Sequence, residues 1–162
     1  MINNEILKWI MPILIGAISA LIASTLALRK FKKEKTWDDR RRSYKDIIEA
    51  FEELIYWAEE VRSEHFLEPQ IGAQAKYYES LRTLSKYNAT GSFVLSKKFH
   101  EELQAAYSKI QRLRFEIEEE RKPDMGDDHE LAKWRLILAK GIREISEESL
   151  PKLILTANNE RE

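Results

Sequence analysis

The chain has 162 residues with 27 basic and 28 acidic side chains, and it contains no cysteine. The length suits one domain of ordinary size, and five glycines with four prolines argue against collagen-like or turn-rich β architectures. Without cysteine there is no disulfide framework, no thiolate metal site and no thiol nucleophile, which fits a reducing compartment. The composition therefore predicts a mostly helical protein.

The N-terminal region is the most apolar part of the chain. Residues 9–28 carry no ionisable side chain, and a helix of this length spans about 30 Å, the thickness of the hydrocarbon core. A signal peptide would have a positive start, a shorter apolar stretch and a small-residue cleavage site, and this pattern does not match. The sequence predicts an uncleaved transmembrane anchor over residues 1–28.

The basic residues after this run predict the orientation of the anchor. One lysine precedes the span, whereas residues 29–45 hold nine basic and three acidic side chains, a net charge of +6. The positive-inside rule then places the N-terminus outside and the C-terminal part in the cytoplasm. Attraction to anionic headgroups explains the cluster, so specific nucleic-acid recognition is not predicted. The residues expected to contact anionic lipid are Arg29, Lys30, Lys32, Lys33 and Lys35.

One face of the predicted span consists of small residues. When the residues are placed at 100° intervals, the small ones group opposite the leucines and isoleucines. Small residues four apart allow backbones to approach closely in lipid, where no hydrophobic force drives helices together. We therefore expect homo-oligomerisation through this small-residue face. Its members are Gly16, Ser19, Ala20, Ala23, Ser24 and Ala27.

A helical pattern follows the basic residues. The basic stretch either continues the helix of the span or breaks near Thr36, whose hydroxyl forms a loose capping box with Asp39. In both cases a long amphipathic helix follows and ends before Pro69. Its expected stripe is Trp37, Arg41, Tyr44, Ile48, Phe51, Ile55, Ala58 and Arg62, widened by Ile47, Leu54 and Val61.

Three further helices are predicted. The second covers residues 70–87 and ends in the segment 88–92, after which residues 93–95 pack against the bundle. Ser96 is expected to cap the third helix, which reaches about Arg121.

The fourth helix follows a loop at residues 122–128 and ends near Pro151, and residues 156–162 are expected to fray. Short connections favour antiparallel neighbours. The predicted fold class is all-α: an N-terminal transmembrane helix followed by a cytoplasmic antiparallel helical bundle. The bundle covers residues 36–155 and is entered through the basic juxtamembrane segment 29–45.

The three histidines are the candidates for a catalytic or metal-binding site, and none of them matches a known motif. His65 lies at the end of a predicted helix, where a cation is favourable. His100 is expected to be exposed to solvent. His129 lies among acids, but the spacing matches neither an EF-hand nor a zincin helix. Arg121 and His129 are too far apart in the sequence to match the Arg–His motif of a ribonuclease. They could form such a pair only if an arginine and a histidine of different helices came together in the fold. No catalytic residue, metal ligand or cofactor is predicted.

The layout of the chain resembles a known group of proteins. The likeness rests on the basic run Arg29–Lys35 with Trp37, Arg41 and Tyr44 after it. This arrangement is similar to small single-span bacterial membrane proteins linked to phage defence, among them the membrane accessory proteins of RNA-targeting CRISPR systems. The resemblance implies an oligomer that perturbs the inner membrane, as a pore or by depolarisation, when antiviral defence is triggered. It carries over no catalytic residue.

Two functions therefore stay open. The first is an oligomeric, non-enzymatic inner-membrane effector whose partners are lipids and other copies of the chain. The second is a membrane-tethered adaptor whose bundle recruits a cytosolic protein while the span only localises it. An enzyme ranks third and would require Arg121, His129 or the nearby acids.

Overall fold

A computed structural model describes residues 4–65, 73–117 and 128–160, and the regular structure in these ranges is entirely helical. Four helices form there: α1 (Asn4–His65), α2 (Ala73–Val94), α3 (Lys97–Phe115) and α4 (Asp128–Asn159). The all-α fold class is thereby confirmed. The chain divides into two compact units, residues 1–39 and residues 40–162.

The first unit contains the N-terminal part of α1. This helix passes through the basic stretch without a break, which decides between the two alternatives for Thr36. Thr36 Oγ1 donates a hydrogen bond of 2.8 Å to the carbonyl of Lys32, four residues back. A threonine inside a helix makes this bond, whereas an N-cap threonine bonds to a backbone N–H ahead of it. The capping box is therefore wrong, and the helix continues.

The second unit is a helical bundle in which α3 packs against both α2 and α4. Lys109 of α3 forms an ion pair of 2.8 Å with Glu148 of α4. Thr156, farther along α4, donates a hydrogen bond of 2.9 Å to Glu102, which lies earlier in α3. The residue nearer the start of α3 contacts the residue nearer the end of α4, so the two helices are antiparallel.

All four helices contribute to the core of the second unit. Six members of the predicted α1 stripe are buried as expected: Tyr44, Ile47, Phe51, Leu54, Ala58 and Val61. Trp37, Ile48 and Ile55 are only half-buried, and Arg41 and Arg62 are exposed. Trp57, which the predicted stripe left out, is 1% exposed and stacks on Tyr77 with 4.1 Å between ring centroids. The largest fully buried side chains are Trp57, Tyr77, Phe51, Phe99, Ile47, Leu54, Leu84, Leu103, Ile110, Ile142 and Leu153.

The second helix extends beyond its predicted end. The segment 88–92, expected to be the exit, is helical, and α2 ends at Val94. Gly91 fits here because a Cβ at this position would come within 2.6 Å of Cδ2 of His100, so glycine allows α3 to begin close to α2. Of residues 93–95, which were predicted to pack against the bundle, Leu95 is buried and Val94 packs against the core, whereas Phe93 is 87% exposed.

The predicted start of α3 is confirmed, whereas α4 ends later than predicted. Ser96 caps α3 as predicted, because its Oγ accepts a hydrogen bond of 3.2 Å from the backbone N–H of Phe99. By contrast, α4 continues through Pro151 to Asn159, although the sequence favoured an end near the proline. Leu153 is fully buried beyond it. Tertiary packing therefore offsets the roughly 3 kcal/mol that an interior proline costs a helix.

Candidate functional site

The N-terminal part of α1 presents large apolar side chains to its surroundings. By length and composition, α1 is the one helix in the described residues that is long and apolar enough to cross a membrane. Its most apolar 18-residue window has a mean hydropathy of 1.5, and none of that window is buried. A signal sequence passes the same test of length and composition, whereas the core helix of a soluble protein would be mostly buried. The exposed side chains are Met11, Leu14, Ile15, Ile18, Leu21, Ile22, Leu26, Leu28 and Phe31.

The small-residue face of α1 is open throughout. A Cβ built on Gly16 would meet no atom within 4 Å. The other five members of the face, Ser19, Ala20, Ala23, Ser24 and Ala27, are exposed. Thr25, which lies on the opposite face, donates its hydroxyl to the carbonyl of Ile22 at 2.8 Å. The face is therefore available for a neighbouring helix, and self-association through it stays a prediction.

The basic residues after the apolar stretch are accessible to a charged surface. Arg29, Lys30, Lys32 and Lys35 are exposed, as the prediction of lipid contact requires. The side chain of Lys33 lies outside the described residues. Contact with anionic lipid stays a prediction.

An acidic groove of about 880 Å³ lies between α1 and α2. Lys76 reaches across it, with Nζ 3.0 Å from Oε2 of Glu53 and 5.3 Å from the ring centroid of Tyr56. The hydrogen bond to Glu53 raises the pKa of Lys76. The charged residues of the lining are Asp46, Glu49, Glu52, Glu53, Glu79, Lys76 and Lys86. With five carboxylates against two ammonium groups, the groove favours a cationic ligand.

A hydrogen bond joins the two helices that line the acidic groove. Tyr87 of α2 donates its hydroxyl to Oδ2 of Asp46 on α1 at 2.7 Å. Burial raises the pKa of Tyr87, and the bond to Asp46 raises it further. Together with the Lys76–Glu53 pair, this bond shows that α1 and α2 run in opposite directions.

A second polar cluster ties the C-terminal end of α4 to two other helices. The Glu160 carboxylate accepts hydrogen bonds from the hydroxyls of Tyr44 on α1 and Ser96 before α3. The backbone N–H of Ser96 donates to the Tyr44 oxygen at 3.2 Å. Burial raises the pKa of Tyr44, and the bond to Glu160 contributes in the same direction. We call these three residues the Glu160 clasp.

Ion pairs connect α4 to α1 and α3. Arg143 pairs with Glu59 of α1 and with Glu147 of its own helix. Glu148 accepts from Lys109 of α3 and from Lys152, each at 2.8 Å. These two lysines lower the pKa of Glu148 to about 2.

The histidines do not converge on a catalytic site in the part of the chain that the structure describes. His100, predicted to be solvated, is half-buried, and its Nε2 lies 3.0 Å from the carbonyl oxygen of Asn88. His129 is exposed. Arg121 and the acids at 124 and 127 lie outside the described residues, as does the predicted loop around them. Within the described residues, no group of three or more potential ligands could hold a metal ion.

The sequence missed the acidic groove and the Glu160 clasp. Tyr44 and Glu160 are 116 residues apart, and neither belongs to a motif that could have paired them. The groove carboxylates were visible only as the solvent-facing side of a predicted amphipathic helix. Their surplus is consistent with the net charge of −7 over residues 46–162, which is the one signal that pointed toward an acidic surface.

Comparison with known protein families, with curated proteins and with solved structures found no match to this chain.

Proposed function

We propose that this chain is a single-span membrane protein that self-associates through its small-residue face and acts as a non-enzymatic effector of the bacterial inner membrane. The observation that supports this most strongly is the exposed apolar part of α1, which no described part of the chain covers. Exposure of apolar surface to water costs about 25 cal/mol per Å². Lipid around the helix, with further copies of the chain against its small residues, removes that cost.

The topology in this proposal follows the distribution of charge. The basic residues Arg29, Lys30, Lys32 and Lys35 are exposed on the C-terminal side of the apolar stretch, which the positive-inside rule assigns to the cytoplasm. The bundle then lies in the cytoplasm and the N-terminus outside. The similarity in layout to phage-defence membrane proteins supports antiviral defence as the process in which such an effector acts.

Substitutions in the small-residue face test self-association and membrane activity together. Leucine at two positions of the face, Ala20→Leu with Ala23→Leu, should prevent close helix approach. We expect the detergent-solubilised oligomer to become a monomer, and depolarisation in cells carrying a membrane-potential dye to be lost. Thr25→Leu is the matched control because it adds bulk on the opposite face, and it should leave both readouts unchanged.

The effector proposal fails on either of two results. The first is a wild-type chain that is strictly monomeric in detergent at every concentration. The second is a wild-type chain that inserts in the membrane but causes no depolarisation during phage infection.

The acidic groove supports a second candidate, the membrane-tethered adaptor. Its five carboxylates suit a basic segment of a cytosolic protein, and in this case the span only localises the bundle. Exchange of residues 9–28 for an unrelated leucine-rich span separates the two candidates. An adaptor would still rescue the phenotype of a deletion strain after the exchange, whereas an effector that needs the small-residue face would not.

A groove variant gives the complementary test. Glu49→Lys with Glu52→Lys reverses two exposed charges of the groove and should abolish rescue by an adaptor. The same reversal at Glu130 and Glu144, two exposed positions of α4, is the control for altered net charge.

A further inference from the structure

The middle of the acidic groove lies between two contacts that join α1 to α2. One is the ion pair of Lys76 with Glu53, at 3.0 Å, and the other is the hydrogen bond of Tyr87 to Asp46, at 2.7 Å. Because the two helices are antiparallel, residues 47–52 of α1 lie opposite residues 77–86 of α2 between these contacts. We call this part the mid-groove. Its polar lining residues are Glu49, Glu52, Glu79, Ser80, Thr83 and Lys86.

Two carboxylates of the mid-groove have no partner among the described residues. Glu52 of α1 and Glu79 of α2 are exposed, and neither forms an ion pair or a hydrogen bond within residues 4–65, 73–117 and 128–160. A third carboxylate, on Glu49, is 3.3 Å from the ammonium group of Lys45, and both side chains are more than half exposed. Such an exposed pair is weak, so Glu49 also stays open to another cation.

The basic groups near the mid-groove lie toward the two contacts. Lys76 is paired at one of them, and Nζ of Lys86 lies 5.0 Å from the ring centroid of Tyr87 at the other. The charge of Arg42 acts on the same tyrosine. Arg82, the remaining base of this part of α2, does not line the groove. The surplus of negative charge therefore lies between the contacts.

A buried serine adds an uncharged polar group to the mid-groove. Ser80 lines the groove although it is only 5% exposed. Its hydroxyl makes no hydrogen bond to any other group in the part of the chain that the structure describes. Because buried polar side chains are nearly always hydrogen-bonded, a hydroxyl without a partner in the lining of a groove is available to a polar ligand. Its oxygen is an acceptor that suits the N–H of an ammonium group.

The groove already holds two ammonium groups of its own chain. Nζ of Lys76 lies beside Glu53 and 5.3 Å from the ring centroid of Tyr56, and Lys86 lies over the ring of Tyr87. Carboxylate oxygens and the faces of aromatic rings both stabilise alkylammonium ions. The lining is therefore suited to further ammonium groups.

The separation of the carboxylates favours an extended cation over a metal ion. No three acidic or histidine side chains of the described residues come close enough together to hold a metal ion. Glu49 and Glu52 are separated by a rise of about 4.5 Å along α1, and Glu79 lies on the opposite wall. In a linear polyamine, three or four methylenes separate the ammonium groups by about 5–6 Å. A polyamine therefore reaches several of these carboxylates, whereas a single ion does not.

The size of the groove agrees with a small-molecule ligand. Its volume of about 880 Å³ lies within the range of about 300–1,000 Å³ that is typical of small-molecule sites.

We propose that the mid-groove binds a linear polyamine, with ammonium groups on Glu49, Glu52 and Glu79. One of these ammonium groups donates an N–H to the hydroxyl of Ser80. The proposal assigns the bundle a small-molecule ligand that neither the effector nor the adaptor requires. It depends neither on the span nor on self-association.

Isothermal titration calorimetry of the full chain in a non-ionic detergent tests this proposal, because such a detergent offers the ligand no anionic headgroup. The probe is spermidine, which carries three ammonium groups, and butylamine, which carries one, is the reference ligand. We expect spermidine to bind at least about tenfold more tightly than butylamine, since it makes several contacts at once. Equal affinities, or no heat of binding with spermidine in large excess, would overturn the proposal.

Ser80→Ala separates a defined site from general attraction between charges. Alanine is compatible with the helix and leaves the net charge unchanged, and the lost hydrogen bond should weaken spermidine binding about fivefold. Ser149→Ala, at a buried serine of α4, is the matched control and should bind spermidine as wild type does. If Ser80→Ala also binds as wild type does, the proposed site is wrong.

A pair of charge-neutralising substitutions tests the carboxylates. Glu52→Gln with Glu79→Gln should weaken spermidine binding about tenfold, because two ion pairs are lost. Glu101→Gln with Glu144→Gln, at exposed positions of α3 and α4, changes the net charge equally and should have no effect. Equal weakening by the two pairs would indicate diffuse attraction and would contradict the site.

Two competing ligands identify the other possible occupants. Magnesium chloride at the same concentration of positive charge should not displace spermidine, and displacement would indicate a metal site. A lysine-rich peptide should bind less tightly than spermidine. If it binds more tightly, and loses affinity in Glu52→Gln with Glu79→Gln, the groove binds a basic protein segment. Either contrary result overturns the polyamine proposal, and the second supports the adaptor. The oligomeric state and depolarisation, which test the effector, do not enter these measurements.

Discussion

The large apolar side chains of α1 described between residues 11 and 31 are exposed, whereas between residues 44 and 61 all of them except Tyr56 are buried or half-buried. Both segments are helical and both are rich in leucine, isoleucine or aromatic residues. In the first segment, large apolar residues cover one side of the helix and small residues cover the other. In the second, the apolar residues form a stripe beside charged ones, and α2, α3 and α4 cover that stripe.

This contrast shows why apolar content alone does not make a core. A stripe at three- and four-residue spacing can be covered by other helices of the same chain, while the polar side stays in water. A helix that is apolar around its circumference needs an apolar environment on every side, as lipid provides. The two segments of α1 are therefore expected to respond in opposite ways to substitution.

The largest effect is expected from a charge in the first segment. Ile18→Lys should abolish stable membrane integration, because a lysine at the centre of a span costs about 3 kcal/mol. Ser85→Lys, at an exposed position of α2, should have no effect. Extraction of cell membranes with alkaline carbonate measures integration. An Ile18→Lys chain that stays in the membrane as firmly as wild type would contradict the proposed span.

Loss of core volume in the second segment should destabilise the bundle without abolishing membrane integration, so its effect is graded rather than complete. Phe51→Ala should lower the free energy of unfolding by about 3–5 kcal/mol, because it leaves a cavity among buried side chains. Ile18→Ala removes a comparable apolar group from the exposed segment and should leave unfolding of the bundle unchanged. Denaturant unfolding of detergent-solubilised protein gives both values. Equal losses from the two variants would remove the distinction between the segments.

The Glu160 clasp should contribute less than the core. Tyr44→Phe removes the hydroxyl that donates to Glu160 and accepts from the N–H of Ser96, and we expect a loss of about 1–2 kcal/mol. Hydrogen exchange at residues 96–99 should accelerate accordingly. Tyr78→Phe, at an exposed position of α2, is the control and should not alter exchange there.

The smallest effect concerns acid stability of the bundle. Because Lys109 and Lys152 lower the pKa of Glu148 from 4.5 to about 2, the carboxylate stabilises the fold at pH values above 4.5. That contribution is lost as the pH falls from 4.5 to about 2. Glu148→Gln should therefore flatten the decrease of thermal stability in this window, while Glu52→Gln should not. If the melting temperatures of wild type and Glu148→Gln fall equally as the pH is lowered, the ion pairs of Glu148 with Lys109 and Lys152 do not contribute to acid stability.

The sequence predicted the helical elements better than their ends. Periodicity located the buried centre of α1, and side-chain chemistry identified Ser96 as a cap, because both depend on local spacing. The end of α2 was placed too early, since Gly91 signals a helix exit unless His100 packs against it. Pro151 misled in the same way, because the burial of Leu153 keeps the helix intact beyond it.

The functional features that the sequence predicted lie on one helix, whereas those that it missed involve two or more helices. The apolar stretch, its small-residue face and the basic run are properties of consecutive residues on one helix, so composition and spacing were sufficient to find them. Trp57 escaped the predicted stripe because Tyr77, which covers it, belongs to another helix.

The sequence by itself determined that the chain is helical, that one stretch is long and apolar enough to cross a membrane, and that basic residues follow it. Only the tertiary structure decided where α2 and α4 end, which carboxylates line one groove, and how Tyr44, Ser96 and Glu160 meet. The physical reason is the range of the interactions. Hydrophobic spacing and charge order act within a few turns of one helix, whereas the groove and the Glu160 clasp depend on helices packing against each other across the chain.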